Sequence, residues 1–119
     1  MSFEATVSAD MRVATLDWRQ VFQAVPEGLI VIERNFDVVY VNRAFAELSG
    51  VGEMQAVGRK CYEIFPGTLC SGPACPMARI QNGVERLTYE ADKHCMCGRL
   101  IPSIVTASPY RLADGTLAG

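Results

Sequence analysis

A chain of 119 residues supplies one core of ordinary domain size, and with half its residues apolar and a fifth charged it has a globular rather than a disordered or fibrous balance. A formal charge of −2, with the basic residues scattered, excludes the basic field that attracts phosphate backbones, so direct nucleic-acid binding is not expected. The apolar run Leu29-Ile30-Val31-Ile32 falls far short of the roughly twenty residues of a membrane span, and residues 1–10 lack the apolar stretch of a secretory signal, so no membrane contact and a cytoplasmic location are expected. Five cysteines, an odd number, argue against a disulfide framework and make free thiols the expected resting state.

In chain order, residues 1–9 read as a flexible N-terminus. Asp10 caps a predicted amphipathic helix over residues 10–25, whose stripe Met11, Ala14, Trp18, Val21 and Val25 follows three-four spacing. That stripe suits packing on the domain's own sheet or on a second copy of the chain. Pro26 stops the helix. The runs 29–33 and 38–41 form a predicted hairpin around Arg34-Asn35-Phe36-Asp37. Short helices follow over residues 43–49, ended by Gly50, and 53–57, ended by Gly58. A single turn over 61–65 leads into a Gly- and Pro-rich loop over 66–73, and Pro76 opens one more helix that ends at Gly83. Two long strands, 84–95 and 100–112, meet near Gly98, and Ala113-Asp114-Gly115 turns toward a further strand that residues 116–119 only begin.

Strands, short helices, then more strands define the α+β class. Four pieces go further: Pro26-Glu27-Gly28-Leu29-Ile30-Val31-Ile32, Val39-Tyr40-Val41-Asn42-Arg43-Ala44-Phe45, Gly58-Arg59-Lys60-Cys61-Tyr62-Glu63-Ile64-Phe65, and Asp114-Gly115. In this order they resemble a PAS domain over residues 18–119. The cysteine-containing stretch 61–76 is similar to a subgroup found at the front of bacterial histidine kinases and transcription regulators. The resemblance implies a five-stranded antiparallel sheet with helices over one face, a PAS sensory domain over residues 26–119, and an output domain C-terminal to it in the parent protein. It also implies a non-catalytic sensor and signal-relay role as a homodimer. The family's last strand runs mid-sheet, and here it is largely missing. A fragment of a longer protein, or the ordered part of one, is favoured over strand exchange with a neighbouring chain, since an open gap leaves unpaired strand edges.

The pocket between sheet and helices is expected to draw Ile30, Ile32, Val39, Val41, Ile104 and Thr106 from the strands, paired by their period of two. Phe45, Tyr62, Phe65, Met77 and Ile80 would meet them from the helices. These residues suit either a dry core or a cavity for a small, mostly apolar ligand. Any cofactor is unknown. Haem is disfavoured because the single histidine, His94, lies at a predicted strand end and not on the helix that supplies the iron ligand in haem-binding relatives.

The remaining chemistry lies in Cys61, Cys70, Cys75, Cys95 and Cys97. Three readings stay open: structural cysteines, reversible thiol oxidation, or a zinc or iron–sulfur site with Cys70, Cys75, Cys95 and Cys97 as ligands. A CxxC pair is absent, which argues against a thiol oxidoreductase, and a single histidine without a nucleophile elbow makes a hydrolase a poor fit.

Overall fold

The computed structural model describes residues 17–70 and 72–119. Helix α1 (Trp18–Ala24) starts abruptly, because Asp17 is extended and its carboxylate accepts the Arg19 N–H at 3.0 Å. Of the helix expected over residues 10–25, the described part begins at Trp18 with Asp17 as its cap. The flexible stretch 1–9 and the stripe positions Met11 and Ala14 lie outside the described residues. At the other end Val25 turns extended, as a residue ahead of proline must.

Strands β1 (Ile30–Ile32) and β2 (Val38–Val41) pair antiparallel, with Ile30 opposite Val41 and a register shift between Val31 and Ile32. Their turn is closed by the Glu33 N–H on the Asp37 carbonyl at 2.9 Å, and it places Phe36 at φ 75. A bulky residue seldom adopts that left-handed conformation. Asn35 holds it there by accepting the Asp37 N–H and donating to the Asp37 carboxylate. Four short helices follow: α2 (Arg43–Ser49), α3 (Glu53–Ala56), α4 (Cys61–Ile64) and α5 (Pro76–Gln81). Gly50 ends α2 at φ 79, where a side chain would be strained, and Pro76 occupies the first turn of α5, where a missing N–H costs nothing.

Strands β3 (Leu87–His94) and β4 (Leu100–Ala107) form an unbroken antiparallel ladder from Leu87 opposite Ala107 to His94 opposite Leu100. Among the described residues the regular ladders therefore form two two-stranded sheets instead of one of five strands. The C-terminal residues stitch them together. Ala118 donates to the Tyr110 carbonyl at 2.9 Å, while its own carbonyl accepts the Arg34 N–H at 3.2 Å. Residues 117–119 thus lie between the exit of β1 and the segment after β4, where the fifth strand was expected to begin.

The main core gathers Val38 and Val41 from β2, Phe45 from α2, Ala56 from α3, Ile64 and Phe65 from α4 and its exit, and Cys95, with Ile30, Cys61 and Ile101 against it. Each short helix contributes only one or two buried side chains, so the elements depend on mutual packing more than on intrinsic helix stability.

Candidate functional site

At the centre of the interior the rings of Phe45 and Phe65 meet edge to face, with centroids 5.4 Å apart, in the favoured aromatic geometry. Val41 is buried beside them, Ile30 and Ile32 are half-buried, and Met77 and Ile80 are buried on α5. Four of the expected pocket residues lie elsewhere. Val39 is half-buried outside the main core while Val38 is 2% exposed, because the register shift in the first hairpin breaks strict alternation. Tyr62 is exposed and sets its ring against Phe36 at 6.1 Å. Ile104 is 76% exposed, and Thr106 shares its outer face, its hydroxyl 3.0 Å from that of Thr88. The inward positions of β4 are Ile101, Ser103, Val105 and Ala107. Apolar residues occupy both faces of this strand, so a period of two does not reveal which face turns inward.

Two amide side chains, neither assigned a role by the sequence reading, tie α1 to this interior. Asn42 is fully buried. Its Oδ1 accepts the N–H groups of Leu29 and Phe45, each at 2.9 Å, starting β1 and capping α2 together. Its Nδ2 lies 3.2 Å from the carbonyls of Phe22 and Val25 and 2.9 Å from that of Glu27. Gln23 reaches back from α1, accepting the Arg43 N–H at 2.7 Å and donating to the Glu53 carboxylate at 3.1 Å. The available signal was an asparagine directly ahead of a helical run, an N-cap signature.

No residue of α1 is buried. Trp18 stands 4.9 Å from Tyr40 on β2 and 5.9 Å from Phe22, and Trp18, Val21 and Tyr40 all stay substantially exposed. The described part of the predicted stripe therefore leans partly on the domain's own sheet and leaves apolar surface open. Beside it an open groove of about 440 Å³ is lined by Arg19, Gln20, Gln23, Ala24 and Arg43.

The cysteines fall into two groups. Cys61 opens α4, Cys75 precedes α5, and Cys70 accepts the Gly67 N–H on its sulfur at 3.2 Å within the intervening loop. Burial, with the neighbouring Cys70 and Cys75, pushes the Cys61 thiol up to about 11. Burial and the same three sulfurs push the Tyr89 hydroxyl on β3 up to about 12, so Cys61 and Tyr89 are neutral at physiological pH. The second group is Cys95 and Cys97, whose Cα atoms are 5.1 Å apart and whose sulfurs are in contact. The expected ligands Cys70 and Cys75 thus belong to the first group and Cys95 and Cys97 to the second. β3 ends at His94, so Cys95 and Cys97 sit in the turn, where chain reversal and not strand alternation brings their sulfurs together. Among the described residues no three His, Cys, Asp or Glu side chains are arranged to hold a metal ion. No helix of the described residues is long and apolar enough to cross a membrane.

A family model described as the PAS fold matches residues 22–119. No curated protein gives a significant match. Among solved structures, the chain is similar to the PAS domain of an HTR-like protein from Haloarcula marismortui, at 18% identity and a TM-score of 0.70, covering 92% of this chain and 89% of that one. It is similar to a domain of a sensory box sensor histidine kinase/response regulator from Geobacter sulfurreducens, at 19% identity and a TM-score of 0.67, covering 93% and 92%. A third likeness is to the VqmA dimer of Vibrio cholerae, at 22% identity and a TM-score of 0.66, over 87% of this chain and 48% of that one. At these identities the three likenesses concern the fold. The family match takes in the hairpin, Asn42, the cysteine loop and the Asp114-Gly115 turn, and on that ground the chain belongs to the PAS fold family.

Proposed function

We propose that this PAS domain is a signal-sensing module, non-catalytic by itself, that pairs with a second copy through the outward face of α1 and relays a change in its interior to an output domain beyond it. The observation that carries the reading is the way α1 is held. Its end is held by hydrogen bonds from the buried Asn42 to the Phe22 and Val25 carbonyls and from the Arg43 N–H to its own Gln23, at the starts of β1 and α2, while Trp18 and Val21 are left exposed. A change around Phe45 thereby reaches the same backbone that anchors the helix. Two of the similar structures, a sensor kinase domain and a dimeric regulator, come from signalling proteins, which agrees with a kinase or transcriptional output. A small apolar ligand among Val41, Phe45, Phe65, Met77 and Ile80 is the proposed input.

Sedimentation of the wild type and of a Trp18→Glu, Val21→Glu variant tests the pairing. A wild-type dimer that becomes a folded monomer supports it, and unchanged association refutes it. Native mass spectrometry of freshly purified protein tests the ligand. A retained non-covalent mass that disappears in Phe45→Trp, which adds bulk beside Phe65, is the expected result, and its absence from the wild type refutes the ligand.

A second reading is thiol-based redox sensing, favoured by the contact between the Cys95 and Cys97 sulfurs.

A further inference from the structure

We infer that the Cys95-Met96-Cys97 turn exchanges disulfides with low-molecular-weight disulfides of the glutathione class, and that its oxidation state sets how firmly the β3–β4 turn is held to the end of α2. The inference rests on the sensory reading and identifies which thiols would serve it.

The two Cα atoms are 5.1 Å apart, within the span a disulfide requires, in a turn closed by the Gly98 N–H on the Cys95 carbonyl and the Cys95 N–H on the Arg99 carbonyl, each at 3.0 Å. The two cysteines differ in environment. Cys97 is exposed, whereas Cys95 is 5% exposed and belongs to the main core. The Cys97 N–H also points at the Cys95 sulfur at 3.1 Å, where it would stabilise negative charge developing on that atom. Exposure makes Cys97 the attacking thiol and burial makes Cys95 the resolving one. The Cys97 thiolate attacks one sulfur of the small disulfide, forming a mixed disulfide and releasing one thiolate, which takes a proton from water. Cys95 then gives up its proton and attacks the Cys97 sulfur, breaking the mixed disulfide and releasing the second thiol. The protein pair is oxidised by two electrons, and the small disulfide is reduced to two thiols.

Cys61 competes poorly, because its partial burial favours the protonated thiol. The structural consequence passes through Met96, whose N–H donates to the Ser49 carbonyl at 2.8 Å, at the last residue of α2. Ser49 is itself fully buried and its hydroxyl accepts the Val51 N–H at 3.2 Å, so the turn is fastened to a fixed point of the interior. Opening the covalent ring leaves the backbone from Cys95 to Gly98 with more conformations, and the Met96–Ser49 bond must then order a looser segment.

The sequence allows a clean test. Trypsin cuts after Lys60, Arg79, Lys93 and Arg99, which puts Cys95 and Cys97 alone in peptide 94–99 and the other three cysteines in peptide 61–79. The whole chain is equilibrated with graded ratios of reduced to oxidised glutathione, acid-quenched, alkylated and digested. Peptide 94–99 should pass from two alkyl groups to none while peptide 61–79 keeps three. Full alkylation of 94–99 at every ratio, or trapping only as glutathione adducts, overturns the exchange. Protection of Cys95 and Cys97 by stoichiometric zinc or iron in anaerobically prepared protein also overturns it, by making them ligands. In Cys97→Ser, which leaves the buried Cys95 in place, peptide 94–99 should carry no glutathione. Amide hydrogen exchange at Met96 should accelerate about tenfold on reduction, and an unchanged rate refutes the coupling to α2. Because dimerisation through Trp18 and Val21 is measured separately, failure here leaves that result standing.

Discussion

Asn42 joins Leu29 to Phe45: one carboxamide oxygen takes both backbone N–H groups at 2.9 Å, so the first strand and the second helix begin at the same atom. The Nδ2 of that side chain takes carbonyls from the end of α1 and the segment after it. Replacing it disturbs three segments together.

Asn42→Ala should lower the unfolding free energy by about 3 kcal/mol, since several buried backbone groups lose their partner at once. Asn42→Asp should cost at least as much at neutral pH, because a carboxylate would face the carbonyls that Nδ2 now serves. Urea unfolding measures both, and a loss below about 1 kcal/mol for either variant would contradict the clasp.

The outward placement of Ile104 separates two isoleucines on one strand. Ile101→Ala should cost about 2 kcal/mol through lost core packing. Ile104→Thr should stay within about 0.5 kcal/mol, as expected of an exposed site. Thermal unfolding of the two variants in parallel decides the matter, and equal losses would place both faces in the interior.

Asp37 and Lys60 form a surface ion pair at 2.9 Å. The bond from Lys60 holds the Asp37 carboxyl below 3.8, and the bond from Asp37 holds the Lys60 ammonium above 10.5. The Asp37 contribution is therefore present above 3.8 and lost as pH falls through its folded value. The Lys60 contribution is present below 10.5 and lost as pH rises through its folded value. Stability should be flat between these limits with respect to this pair, and Asp37→Asn should remove both limbs. A pH series of denaturant midpoints, with and without added salt, measures the difference. Salt should narrow it, because the pair is in contact with water.

With its thiol pushed up to about 11, Cys61 should alkylate slowly at neutral pH and faster as pH rises toward that value. In fully reduced protein the exposed Cys97 should react at least about tenfold faster, as counted by peptide mass. Fast labelling of Cys61 at neutral pH in the folded protein would show that its partial burial does not hold the thiol protonated.

Much of this architecture was legible because local chemistry and tertiary structure agree. Pro26 ends α1, Gly50 ends α2, Pro76 opens α5, and Gly98 and Gly115 turn their hairpins, each at the position its backbone preference marks. The errors fall where a preference serves two outcomes. Leu100 to Ala107 carries apolar residues on both faces, so alternation leaves the sign of each face open. The hairpin of Ile32 and Val38 contains an irregularity that period-two counting passes over. Asp17 caps a helix as well as Asp10 could, and only the structure shows that the described helix starts there. The site was read less fully than the fold, because Asn42 draws on partners up to twenty residues away along the chain, and the pairing of Cys95 with Cys97 depends on a turn and not on a strand.

Residues 117–119 bear on the order in which the molecule is assembled. They are made after the helices and strands described above, and they supply the bond from Arg34 to Ala118 beside the first strand. The two hairpins can close early, each over a short loop, while the seam between them waits for a contact that spans most of the sequence and carries the larger closure entropy. On the ribosome the chain should exist for a time with its two hairpins unjoined and their strand edges exposed. That interval is when a chaperone, or the same segment of a second nascent chain, competes for the seam.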